Sequence, residues 1–292
     1  MSPRRPRLLL NLSVPALAPT ASALPADGVG LLRAEFLALS AGVHPSSVLA
    51  DGGADDYVAL FRDGLRQVAE AFHPRPITFR LSDLKSNEYR GLRGGEAFEP
   101  QEENPMLGRR GAFRYLGQPD AFALELRAVR EVRDAGFTGV RVMVPFVRTV
   151  PELRAVRALI AEAGLGDIEV WMMAEVPSVA LLPETFAREA DGVSIGSNDL
   201  CQLVLGVDRD SSELSRAYTV DDPAVRAALR RIIEGAHAAG RPVSICGDQP
   251  AENPDLVADL VDAGIDAISV VPSAFEATRA VVDELCGPTD AG

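Results

Sequence analysis

The chain has 292 residues, 47% of them hydrophobic, 24% charged and 5% aromatic. That balance supplies a sizeable core and excludes a disordered, collagen-like or low-complexity chain. Twenty-nine basic residues face 42 acidic ones, a net charge of −13, which argues against nucleic acid or an anionic membrane as the main partner but leaves room for a local basic pocket.

Residues 1–7 read as a basic N-terminal tail. The apolar stretch that follows, with small residues at Ala21, Ser22 and Ala23, imitates a signal peptide. Asn11, Ser13 and Pro15 break it, so 8–13 reads instead as a first buried strand. Further strand candidates are 28–33, 76–81, 139–144, 168–174, 192–196, 242–246 and 267–271, continuously apolar runs bounded by Gly, Pro or Asp. Between them lie amphipathic segments such as 120–135, 149–163, 223–239 and 254–263. Four of these meet a stop signal at Gly136, Gly164, Gly240 and Gly264, residues suited to the left-handed turn that ends a helix.

Eight strands alternating with helices predict a single (β/α)8 barrel of the α/β class over 8–286, with 287–292 as a C-terminal tail. An open doubly wound sheet is the rival, since periodicity alone does not close a sheet. Residues 82–118, after the third strand, are too long and polar for an ordinary connection and read as an active-site insertion. No apolar run reaches the ~20 residues of a membrane span. Cys201, Cys246 and Cys286 are odd in number and lack CxxC spacing, which points to a reducing, cytoplasmic setting.

In such a barrel the C-terminal ends of the strands face the active site. Those positions hold Arg33, Arg80, Glu175, Asn198, Asp199 and Cys246. Arginine offers a planar donor fork matched to phosphate and carboxylate. Two carboxylates suit magnesium, which fills its other positions with substrate oxygens and water. Taken singly, each residue reads as an ordinary salt-bridge or packing partner; the combination reads as a site for an anionic, phosphorylated substrate.

Six motifs then occur in order: GVGLLRAEFL (28–37), ITFRLSDLKSNEYR (77–90), EENPMLGRRGAFRY (102–115), MAEVPS (173–178), GSNDLCQLVLGVDRD (196–210) and SICGD (244–248). Together they resemble the phosphoenolpyruvate (PEP)/pyruvate-binding barrel of the PEP-utilising enzymes, most closely that of phosphoenolpyruvate synthase. Pyruvate phosphate dikinase and enzyme I of the sugar phosphotransferase system share that barrel. The resemblance runs over essentially the whole chain. It implies that Arg33, Arg80, Arg110 and Arg209 hold the phosphoryl and carboxylate groups and that Asn198 touches the phosphoryl oxygens. Glu175 and Asp199 become Mg2+ ligands, and Cys246 the proton donor and acceptor at the methylene carbon. It further implies a homodimer and exchange of a phosphoryl group with a phosphohistidine. Because Met1 stands almost at the first strand, a stand-alone protein served by a separate phosphohistidine carrier is expected. Nearby cations are expected to tune the thiol toward neutrality.

Departures from the family pattern are few. Asp248 stands where relatives carry glutamine or glutamate, Val271 where many have a small or polar residue, and Cys201 where threonine is usual. Cys201 reads as a small packing residue, and His44, His73 and His237 lack metal-ligand spacing and read as structural. Two other readings are a magnesium-dependent lyase of the citrate lyase class, which does not need the Cys246 thiol, and a PEP-binding regulator without turnover.

Overall fold

The computed structural model describes residues 4–247 and 249–287. Eight parallel strands close into a barrel in sequence order: β1 (Arg7–Leu12), β2 (Val29–Arg33), β3 (Ile77–Arg80), β4 (Val140–Val144), β5 (Val170–Ala174), β6 (Gly192–Gly196), β7 (Val243–Cys246) and β8 (Ala267–Val270). β8 pairs back onto β1, from Arg7 opposite Ala267 to Leu10 opposite Val270. Closure settles the choice between barrel and open sheet. The first strand takes in Arg7, the last residue of the expected tail. Arg4 and Arg5 also pair with the body, at Asp266 and Asp283. Residues 288–292 of the expected C-terminal tail lie outside the described residues.

Alternation along each strand divides the core. Outward side chains such as Leu10, Leu32, Phe79, Val142 and Ile245 join the large cluster beneath the helices. Inward ones include Leu31, Met143, Trp171, Met173 and Cys246, a separate small cluster inside the barrel. The helix Ala54–Phe72 buries Tyr57, Val58, Phe61, Leu65, Val68, Ala69 and Phe72, the spacing of one helical face. Each such large side chain contributes about 1.5–3 kcal/mol when fully buried. The helices Pro119–Asp134, Val150–Ile160, Pro223–Ala238 and Pro254–Asp262 occupy the expected segments. The four expected stop glycines have φ between +69° and +103°.

β2 departs from strict alternation. Its register slips against β1 between Leu10 and Asn11, and against β3 between Val29 and Leu32. Val29 and Leu32 both pack outward, so two residues, Gly30 and Leu31, face inward between them, a bulge. A Cβ on Gly30 would lie 2.5 Å from Ser269 Oγ and 2.7 Å from Ser269 Cβ. The bulge has a consequence at the strand end: unbroken alternation from Val29 would aim Arg33 outward, whereas here it turns inward beside Arg80.

Candidate active site

A cavity of about 470 Å³ opens at the C-terminal end of the barrel. Arg33, Arg80, Arg110, Glu175, Asn198, Asp199, Arg209 and Cys246 all line it, so every candidate site residue read from the sequence reaches the same cavity. Arg33, Arg80 and Cys246 end their strands, Glu175 follows β5, and Asn198 and Asp199 open the helix Ser197–Leu205 after β6. Arg110 and Arg209 come from longer connections.

Three carboxylates converge. Ligand oxygens of Asp83, Glu175 and Asp199 lie within 4.8 Å of one another, all three side chains buried. Glu175 has its carboxyl pushed up to about 8, first by burial and then by the charges of Asp199 and Asp83. A small hard divalent cation fits this donor set, because it prefers carboxylate oxygens and would offset the crowded negative charge.

Asp83 was not among the ligands read from the sequence. It lies three residues past Arg80, within the quoted motif, and a strand-end reading stops too early to include it. The chain turns back into the mouth there because Glu35 Oε1 accepts from the Asp83 amide at 2.7 Å and from Arg80 at 2.8 Å. Ser82 is fixed from behind: it donates from amide and hydroxyl to Glu125, and its carbonyl accepts from Tyr115.

The arginines rest on these carboxylates. Arg110 donates to Asp83 at 3.1 and 2.6 Å and to Asp199 at 2.9 Å. Arg209 stands 2.7 Å from Asp199 on its other side. Burial alone would lower the Arg80 and Arg110 guanidinium values, but the surrounding carboxylates more than offset it and hold both well above the ordinary value.

Arg110 is placed by the residues around it. Its guanidinium lies 4.0 Å over the Phe146 ring, a favourable cation–aromatic arrangement. Gly111 follows with φ +55°, and a Cβ there would come within 2.5 Å of the Pro145 carbonyl, so only glycine lets the chain lie this close. Phe146 itself has φ +48°, and its amide donates to Glu175 at 2.7 Å. Backbone strain of this kind at a ligand-bearing loop is typical of functional sites. Further back, Glu99 accepts from Arg114 and from His44 Nε2, while Glu102 accepts from the Arg109 amide and Ser86. His44 is thus a buried structural residue, and the segment 82–118 is tied down at both sides of Arg110.

Cys246 is 3% exposed. Burial pushes its thiol up; the Ser194 hydroxyl and Arg80 only partly offset this, and Glu175 adds to it. The expected tuning toward neutrality is therefore reversed, because the sulfur sits on the apolar cluster of Leu31, Met143, Trp171 and Met173 and desolvation outweighs the cations. Cys201 packs in the outer core, as expected of a small buried residue. Val271 is half-buried past β8 and Asp248 lies outside the described residues. Among the described residues no helix is long and apolar enough to cross a membrane.

Residues 3–286 match the family model of the PEP-utilising enzymes, PEP-binding domain. The phosphoenolpyruvate synthase of Aeropyrum pernix is 45% identical over 283 residues, covering 94% of this chain and 34% of that protein. The Escherichia coli phosphoenolpyruvate synthase is 41% identical over 306 residues, covering 96% and 39%. The chain thus spans a little over a third of the length of these relatives. Among solved structures, an HpcH/Hpal aldolase/citrate lyase family protein from Burkholderia cenocepacia superposes with a TM-score of 0.54 at 16% identity, covering 96% of this chain and 94% of its own. CitE from Mycobacterium tuberculosis, in complex with magnesium, acetoacetate and coenzyme A, gives 0.55 at 18%, covering 95% and 81%. At these identities the likeness is one of fold.

Proposed function

Since the chain belongs to the PEP-utilising enzymes through their PEP-binding domain, we propose that its cavity binds PEP or pyruvate with magnesium and exchanges a phosphoryl group with a phosphohistidine supplied from outside the barrel. The observation that carries this reading is the convergence of four arginines, three carboxylates and one thiol on a single cavity.

Asp83, Glu175 and Asp199 would hold the magnesium, which when bound supplies positive charge to the oxygens of the substrate. Arg110 and Arg209 rest on Asp199; with a cation held by the carboxylates, both guanidinium groups would be available to the phosphoryl oxygens. Arg33 and Arg80 hold the carboxylate, with Glu35 fixing the plane of Arg80. Phosphoryl transfer then needs little beyond positioning and charge, the parts these residues supply. Transfer from PEP leaves the enolate of pyruvate, and Cys246 at the cavity floor delivers the proton its methylene carbon needs.

The three cysteines are free, which fits the cytoplasm. The proposal extends to a homodimer, for which Leu107, Phe113, Leu181 and Leu182, each more than half exposed, offer apolar surface to cover.

Calorimetry tests the core of this reading. PEP should bind far more tightly with magnesium than without it, and Asp199→Ala should lose at least tenfold in magnesium-dependent affinity. Binding of equal strength in excess chelator would overturn the assignment.

A further inference from the structure

We propose that Arg148 is a positioning residue for the phosphoryl end of the cavity: it holds Arg110 in place and so sets how strongly the chain favours PEP over pyruvate. This inference rests on the reading of Arg110 as a ligand of the phosphoryl group.

Arg148 follows β4 and does not itself line the cavity. Its backbone is fixed to the barrel: the amide donates to Glu152 at 2.8 Å, and the carbonyl accepts from the Ser178 hydroxyl at 2.7 Å. From that base the side chain reaches across to the segment 82–118. There its Nη2 donates to the carbonyls of Leu107 at 3.2 Å and Gly108 at 2.6 Å. The Arg109 amide, next along, donates to Glu102 at 3.1 Å. A Cβ on Gly108 would lie 2.0 Å from Glu102 Oε2, which leaves no room for a side chain while that carboxylate stays on the Arg109 amide. Beyond Arg110, the Ala112 amide donates to the Pro145 carbonyl at 3.1 Å. The loop 145–148 thus grips the chain on both sides of Arg110.

Phe146, within that loop, ties the grip to the rest of the site. The guanidinium groups of Arg148 and Arg110 lie 4.6 and 4.0 Å over its ring, and its amide donates to Glu175. Arg148 Nη1 is buried with no hydrogen-bond partner among the described residues. The placement of the group therefore follows the two carbonyls and the ring rather than the filling of its donors. A guanidinium serves both at once because its nitrogens share one rigid plane. PEP and pyruvate share a carboxylate and differ in the phosphoryl group. A residue that acts through Arg110 therefore changes the affinity for PEP and spares that for pyruvate.

Calorimetry on the intact chain at saturating magnesium, with PEP and pyruvate as the two ligands, tests this. Arg148→Met keeps an unbranched side chain and removes its donors. It should weaken PEP binding about tenfold, the size of one hydrogen bond to a charged group, and leave pyruvate within twofold. In an Arg110→Ala background the same change should cost PEP less than twofold further, because the group it positions is gone. Amide hydrogen exchange of the unliganded chain gives a second readout. Peptides within 102–115 should exchange several-fold faster in Arg148→Met, and those of the helix Pro223–Ala238 as in the wild type. Should Arg148→Met not fold, Arg148→Lys keeps one cationic donor, loses the planar fork and carries the same comparisons with a smaller loss. Equal losses for PEP and pyruvate overturn the inference, as do additive losses in the double variant or an unchanged exchange rate across 102–115. A wild type that does not distinguish PEP from pyruvate would count against Arg110 as a phosphoryl ligand, while hydrogen exchange would still decide whether Arg148 holds the segment.

Discussion

At the scale of single residues the cavity separates two tasks. Binding is assigned to charged groups on the walls and proton transfer to one neutral group on the floor. Removing the thiol in Cys246→Ala leaves the arginines and carboxylates untouched, so PEP affinity should stay within a few-fold. Methyl-proton exchange into pyruvate should fall by ~10²–10⁴, the usual contribution of a positioned acid–base group. Cys201→Ala, a change in the outer core, should alter exchange little. A Cys246→Ala protein that exchanges as fast as the wild type would show that the thiol carries no proton here. Arg33, Arg80, Glu175, Asn198, Asp199 and Cys246 were legible because their types sit at strand ends, where a barrel faces its active site, whereas Arg110 and Arg209 were read only from the family motifs that contain them. Asp83 was not legible, because it belongs to a turn whose path depends on Glu35, Glu125 and Tyr115. Nor was the raised thiol of Cys246, which follows from burial among side chains of three other strands.

At the scale of elements, the strands were legible almost residue by residue, since continuous apolar runs flanked by Gly, Pro and Asp leave little choice once a sheet is buried on both faces. The barrel was expected from eight strands alternating with helices, with an open sheet as its rival, and closure bears it out; the bulge in β2 was not legible, because it depends on pairing between distant segments. The bulge matters to the site through Arg33, which strict alternation would aim outward, and Gly30 permits it. Gly30→Ala forces a Cβ onto Ser269, so either the bulge straightens or β8 shifts. Overpacking of this kind costs about 1–3 kcal/mol. Ser269→Gly clears the obstruction, at the loss of its bond to Asn11. Urea denaturation should therefore find Gly30→Ala markedly less damaging in the Ser269→Gly background than alone. Strict additivity of the two changes would mean that contact with Ser269 is not what excludes a side chain at position 30.

At the scale of the whole molecule, two buried carboxyls tie stability to pH with opposite signs. Glu99 would be raised by burial, but bonds from His44 and Arg114 more than offset this and hold it at about 2. Its contribution is complete above the ordinary glutamate value and is lost as pH falls toward 2. Glu125 is the reverse case. Burial pushes its carboxyl up to about 8, and the two bonds from Ser82 only moderate the rise. Between the ordinary value of ~4.3 and 8, the folded chain holds one proton more at this site than the unfolded chain. Raising the pH across that window therefore favours unfolding, by at most ~1.4 kcal/mol per pH unit from this group. Glu125→Gln removes the titration while keeping an oxygen for the Ser82 amide and hydroxyl. Denaturation midpoints from pH 5 to pH 8.5, at fixed magnesium, should fall less steeply in Glu125→Gln than in the wild type. By pH 8.5 the variant should be at least as stable. Because Glu175 titrates in the same direction, the difference between the two proteins, rather than either slope alone, isolates Glu125. Parallel profiles would show that the buried carboxyl behind Ser82 carries no extra proton at neutral pH. The anchor of Ser82 would then be an anion, a like charge set behind the carboxylates that line the cavity.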